Sequence, residues 1–111
     1  MEINIRESDG TALIELTGQI DGNTAPDIQV GVMETAQTNA QLLLDMSGIS
    51  YMSSAGLRVL LQLHRTISAN GGRLILVGLP EEVQETMSAT GFLDFFETYP
   101  SVDAALAALS Q

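Results

Sequence analysis

The sequence predicts an α/β fold: a mixed β-sheet that opens with an antiparallel hairpin, continues with parallel strands and packs against about four helices. Three observations carry this expectation. Up to Leu16 apolar residues recur at every second position, Ile3 and Ile5 and then Ala12, Ile14 and Leu16, and the turn signal Ser8-Asp9-Gly10 divides the stretch in two. Two uninterrupted apolar runs, Leu42-Leu43-Leu44 and Leu74-Ile75-Leu76-Val77, have the composition of strands buried on both faces. Segments of helical period lie between and after those runs.

Each element follows in order. Ile3 and Ile5 alternate with Glu2, Asn4 and Arg6, the pattern of a half-buried strand. Ala12, Ile14 and Leu16 share one face of a second strand, and the short connection makes the pair a hairpin. Positions 18 to 23 read as a loop. Thr24-Ala25-Pro26-Asp27 then opens a helix with a capping hydroxyl, an early proline and an acid in the first turn. That helix is expected to reach about Thr38, with Ile28, Val32, Met33 and Ala36 inward. The Leu42 run ends at Asp45, and Ser47 to Tyr51 reads as a loop.

From about Ser54 a longer helix starts. Leu57, Leu60, Leu61, His64 and Ile67 fall on one face, and Arg58, Gln62 and Arg65 on the other. Asn70-Gly71-Gly72 stops it with residues that tolerate left-handed backbone. The Leu74 run is the next strand. A short helix from Pro80 to Thr90 ends at Gly91, a short edge strand surrounds Thr98, and Val102 to Leu109 forms the last helix.

Composition narrows the function. The 111 residues, 45% apolar, fit one domain spanning 1–111 with an adequate core. Without cysteine there is no disulfide framework and no thiolate metal site. Lys and Arg total 4 against 14 Asp and Glu, a formal net charge of -10. Such a surface repels polyanions, so neither nucleic acid nor an anionic membrane is an expected partner, and a positively charged protein surface is. The first residues lack a basic region followed by an apolar one, and no apolar run approaches the ~20 residues of a membrane span. A cytoplasmic location is expected.

The stretch from Leu43 to Leu57 concentrates the functional signal. A buried strand leads to two hydroxyls, Ser53 and Ser54, at the start of the next helix, and the carboxyl ends of strands are where such folds meet ligands and partners. Helix capping accounts for one of these serines. It does not account for small residues at all of Ser53, Ser54, Ala55 and Gly56, a run that leaves the helix start open to close approach by another molecule. A hydrolase is excluded by pattern and reach. Met52 occupies the first glycine position of a G-x-S-x-G elbow around Ser54. The one histidine, His64, lies ten residues further along the same helix, ~15 Å away. His64 reads as a satisfied core residue, with no second histidine to share a metal. No metal or cofactor is expected. Asp21, Asp27 and Glu34 are scattered and read as solvated; Gly71-Gly72 reads as a helix stop, and Phe92, Phe95 and Phe96 as a core patch at one end of the sheet.

These pieces together resemble the STAS domain, and within it the single-domain bacterial anti-sigma-factor antagonists. The resemblance runs over nearly the whole chain. It rests on the hairpin followed by Leu16-Thr17-Gly18-Gln19-Ile20-Asp21, on Leu44-Asp45-Met46-Ser47-Gly48 leading to Tyr51-Met52-Ser53-Ser54-Ala55-Gly56-Leu57, on Gly71-Gly72-Arg73-Leu74, and on Thr90-Gly91-Phe92-Leu93 with the Ala104-Ala105-Leu106 tail. The resemblance implies a STAS-type mixed sheet and a switching serine at the start of the second helix, which by position is Ser54, with Ser53 the lesser candidate. Many members carry Asp immediately before that serine, where this chain has Ser53. The implied partner is an anti-sigma factor with a histidine-kinase-like ATP-binding fold, which phosphorylates the serine; a phosphatase restores it, and the antagonist itself catalyses nothing. Asp21, Ser53, Ser54, Ala55, Gly56, Arg58 and Gln62 form the candidate partner surface, with Asp21 and Asp45 expected at the same sheet edge. The same domain also serves as a non-phosphorylated adaptor subunit of lipid-transport ABC complexes or signalling scaffolds, which is the alternative expectation.

Overall fold

The computed structural model describes residues 1–110. Strands β1 (Glu2–Ser8), β2 (Thr11–Ile20), β3 (Gln41–Met52), β4 (Arg73–Val77) and β5 (Glu97–Tyr99) form one sheet in sequential order. β1 and β2 are antiparallel, and every later neighbour is parallel. Helices α1 (Ala25–Ala36), α2 (Ser54–Ala69) and α3 (Glu81–Ala89) make the three crossovers, and α4 (Val102–Leu109) closes the chain. The mixed sheet and four helices agree with the sequence expectation.

The hairpin is joined by Asp9 and Gly10, both at positive φ (52° and 81°). This two-residue geometry matches the right-handed twist of the flanking strands. After it, strand order increases steadily across the sheet. Crossovers of one hand in one direction put all their helices on one face. Accordingly, Ile28 and Val32 of α1, Leu57, Leu60, Leu63 and Ile67 of α2, and Val83 and Met87 of α3 share a core with Ile14, Leu16, Leu42, Leu44, Leu74 and Leu76. On the opposite face α4 packs Val102, Ala105 and Leu109 over Leu43, Ile75 and Val77. The Leu42 and Leu74 runs are thus buried on both sides, as their unbroken apolar character requires.

Several expectations are corrected. β1 is an edge strand with little cover: Ile3 is partly buried, but Ile5 is 42% exposed. β2 continues to Ile20 and β3 to Met52, so positions 18–20 and Ser47 to Tyr51 are strand rather than loop. α1 ends at Ala36 instead of Thr38. On α2, Leu63 is fully buried, while Leu61 and His64 are only partly so. His64 is also unsatisfied: its Nδ1 is buried without a hydrogen-bond partner, and its ring lies 5.2 Å from that of Phe96. The three phenylalanines differ in burial, with Phe96 buried, Phe92 partly buried and Phe95 60% exposed, its ring 6.1 Å from that of Phe92.

The length of β3 has a definite cause. Between Glu15 and Thr17 of β2 the partner advances from Asp45 to Gly48, and between Gly18 and Gln19 it advances from Ile49 to Tyr51. Each step inserts one extra residue into β3, a β-bulge. The Asp45 carboxylate accepts hydrogen bonds from the backbone N–H and the hydroxyl of Ser47 at the first bulge. Gly48 follows because a Cβ there would stand 2.8 Å from the Leu16 carbonyl oxygen. Since β3 pairs with β4 only as far as Asp45 and Val77, β2 and β3 run on together as a two-stranded extension. That extension delivers Ser53.

Candidate partner-binding site

At the tip of this extension the backbone N–H of Ser53 donates to the carbonyl of Ile20 (2.8 Å), continuing the ladder by one residue. Ser53 is extended (φ -83°, ψ 170°) and serves as the N-cap of α2, its Oγ accepting from the Gly56 N–H at 3.1 Å. The bare helix start would leave its first N–H groups unpaired, and the serine satisfies one of them. Ser54 is the first residue of the helix and is exposed. The two hydroxyls therefore divide the work: one is committed to the fold, the other faces solvent.

Gly56 has a role that its small size alone did not disclose. A Cβ there would lie 2.6 Å from Cγ2 and 2.7 Å from the carbonyl oxygen of Ile20. The glycine lets α2 press directly on the end of β2, and it is buried, so its smallness serves the chain's own packing rather than a visitor's approach. Ala55 is half-buried beside Gly22, whose added Cβ would stand 4.0 Å from that of Ala55. The small-residue run is thus partly structural.

Asp21 follows directly on β2. Its Oδ1 accepts from the backbone N–H groups of Asn23 (2.9 Å) and Thr24 (3.1 Å), organising the turn that leads into α1. The Thr24 hydroxyl does not cap α1 as expected. It donates to the Gln19 carbonyl at 2.7 Å and accepts from the Asp21 N–H at 3.0 Å. Asp45 is far from this end: it pairs with Glu15, six strand positions before Asp21, ~20 Å at the rise of a β-strand. The expectation of a shared edge for Asp21 and Asp45 fails because the bulged extension separates them.

Ser54, Arg58, Gln62 and Arg65 are all exposed, and their spacing of four, four and three residues makes one stripe along α2. Arg6 and Arg73 are ion-paired to Glu15 and Glu97. Among the described residues Arg58 and Arg65 form no salt bridge, so the chain's two free guanidinium groups both lie on this stripe. Tyr51 did not stand among the candidates read from the sequence. It is 54% exposed at the end of β3 beside the Ser53 turn, over a hollow that Met52, Glu82, Val83 and Thr86 also line. Reading its segment as a loop removed the only signal, an aromatic with no inward partner. His64 lies ten residues along α2 from Ser54, ~15 Å by helical rise. Among the described residues no three potential metal ligands cluster.

A mixed sheet, one-sided crossovers and an accessible hydroxyl at a capped helix start define a protein-binding module of the STAS type. The chain belongs to the STAS domain family, whose model matches residues 2–105. It is 30% identical over 100 residues to the anti-sigma-B factor antagonist of Listeria monocytogenes, covering 87% of each chain. Its fold matches that of an anti-sigma factor antagonist from Mycobacterium paratuberculosis with a TM-score of 0.86, at 24% identity over 99% of this chain and 94% of the other. The Bacillus protein SpoIIAA matches in its unphosphorylated form (TM-score 0.75, 16% identity, 98% of this chain and 97% of the other). It matches equally in its phosphorylated form (0.74, 17%, 97% and 99%).

Proposed function

We propose that the chain is an anti-sigma factor antagonist whose binding surface is the start and exposed stripe of α2, and whose binding is switched by phosphorylation of Ser54. The observation that carries this reading is the division of labour between the two serines: Ser53 Oγ is held by the Gly56 N–H, while Ser54 is exposed. The Listeria antagonist supports the partner class. SpoIIAA, a fold relative with a phosphorylated form, supports the switch. Both favour the antagonist over the adaptor-subunit alternative.

In this reading the partner is an anti-sigma factor with a kinase-type ATP site, and the complex forms in the cytoplasm. The Ser54 Oγ attacks the γ-phosphorus of ATP held by the partner, its proton passes to a base of the partner, and the bond to the β,γ-bridging oxygen breaks as ADP leaves. The antagonist contributes the acceptor hydroxyl and no catalytic group. The phosphoryl group brings roughly -1.5 to -2 charges and three acceptor oxygens. At a helix N-terminus such an anion is compatible with the fold, because the dipole and free N–H groups favour it. At the interface it reverses the local character beside Arg58. A phosphatase resets the state by hydrolysis.

The test is incubation with the cognate anti-sigma factor and ATP, followed by fragmentation mass spectrometry. Phosphate is expected on Ser54 in the wild type and in Ser53→Ala, and on neither residue in Ser54→Ala, which retains partner binding. Phosphate on Ser53 alone would refute the residue assignment. Its absence from every form, with binding intact, would refute the switch.

A further inference from the structure

Beyond this reading, the structure points to a second interaction surface, and we propose that the outer edge of β1 pairs antiparallel with β1 of a second copy, centred on Asn4. Among the described residues β1 pairs on one side only, with β2. Because Ser8 and Thr11 flank a two-residue turn, they form a hydrogen-bonded pair, and pairs alternate from there. Ser8, Arg6, Asn4 and Glu2 thus direct their backbone groups at β2. Glu7, Ile5 and Ile3 direct theirs outward, to a free edge. That the Gly10 carbonyl on the other side of the turn accepts from Gln41 of β3 agrees with this alternation.

An exposed edge with unpaired backbone groups is a template for another strand. The outward-facing residues have odd numbers, so a symmetric antiparallel pairing joins residues whose numbers sum to an even value. Centring on Asn4 sets Ile3 opposite Ile5 and Glu2 opposite Arg6, each twice by symmetry. Centring on Arg6 would set Arg6 against itself, and centring on Ile5 would set Ile3 against Glu7. Only the Asn4 register gives opposite charges and matched apolar pairs together. It covers Ile5, which the fold leaves 42% exposed on the helix-covered face of the sheet. It also supplies an acid to Arg6, whose side chain is 77% exposed despite its contact with Glu15. The Glu7 carboxylate, by contrast, is already held by the Asn39 amide at 2.6 Å.

The product is a continuous ten-stranded sheet with a two-fold axis perpendicular to it. Strand direction reverses across that axis, so the two Ser54 sites face opposite ends and stay clear of the junction. One edge strand per copy is small beside the roughly 1,600 Å² of a standard stable interface, and each copy carries a net charge of -10. Association is therefore weak, with a dissociation constant on the order of 10–100 μM.

Sedimentation velocity from about 10 μM to 1 mM, at physiological salt, is expected to show a monomer–dimer equilibrium. Glu2→Arg and Arg6→Glu each place like charges opposite one another and weaken it roughly tenfold or more. Mixed in equal amounts, the two variants restore it as a heterodimer, since every Arg then faces a Glu. The chain has no cysteine, which permits a second readout independent of the charge variants. Asn4 faces its own copy in a non-hydrogen-bonded pair, Cα atoms ~4.5 Å apart, within disulfide range. Asn4→Cys is expected to oxidise rapidly to a covalent dimer and Ile5→Cys to remain reduced. A chain monomeric throughout, with no preferential Asn4→Cys disulfide, overturns the proposal. So does a wild-type dimer that the two mixed variants do not reproduce.

Discussion

Ser53 and Ser54 are chemically identical neighbours whose roles diverge through one hydrogen bond. Ser53→Ala removes the acceptor for the Gly56 N–H and is expected to cost ~1 kcal/mol, a fall in melting temperature of roughly 4–6 °C for a domain of this size. Ser54→Ala and Ser54→Asp are expected to melt within about 2 °C of the wild type, because position 54 is exposed and a helix start favours an anion. A large loss in Ser54→Asp would mean that the hydroxyl is packed, which would remove the basis for the switch. Gly56→Ala forces a Cβ onto the Ile20 carbonyl and is expected to cost about 1–3 kcal/mol in urea unfolding. The serine pair was legible in the sequence, since hydroxyls before a helical pattern announce a cap. The duty of Gly56 was not, because composition reveals a small residue without revealing which backbone it must approach.

Elements were legible where their period was regular. β4 and α4 follow the template of their class, and α4 runs over the expected Val102–Leu109. The far half of β3 does not. Two bulges put its buried positions at Met46, Ile49 and Met52, a spacing of three that fits neither a strand nor a helix. The loop expectation failed there for that reason, and Tyr51 was lost with it. On α2, Arg58→Glu is expected to slow association with the anti-sigma factor about tenfold, with greater salt sensitivity in the wild type, and to leave the melt unchanged; an unaltered rate would return the stripe to ordinary solvated surface. At the other sheet edge Glu97 accepts from Arg73 and, at 3.0 Å, from the Tyr99 hydroxyl. That bond raises the Tyr99 phenol above its ordinary value of 10.0, and burial adds to the shift. A raised value stabilises the fold below the unfolded value and is lost as pH climbs through the folded one. Urea unfolding between about pH 9 and 11.5 is expected to show a decline that Tyr99→Phe flattens.

At the scale of the molecule, charge opposes compactness. With a net charge of -10 and only two ion-paired arginines among the described residues, self-repulsion is a standing cost. Raising sodium chloride from about 20 to 500 mM shortens the screening length several-fold, and the melting temperature is expected to rise. A fall would indicate that the surface ion pairs outweigh the repulsion. The clasp at Ile20, which holds the Ser53 amide and bears directly on Gly56, bears on how a modification at the neighbouring residue is perceived. A helix pinned to a strand at its first turn is a poor lever, expected to pass little tilt or displacement to the far side of the sheet. On the proposed switch, a phosphate at position 54 is then expected to act as a local label, legible only by touch. In physiological salt its field fades within ~8 Å. Any reader of that label must therefore bring its own sensing groups to the tip, and a distant surface such as the β1 edge remains indifferent to what is written.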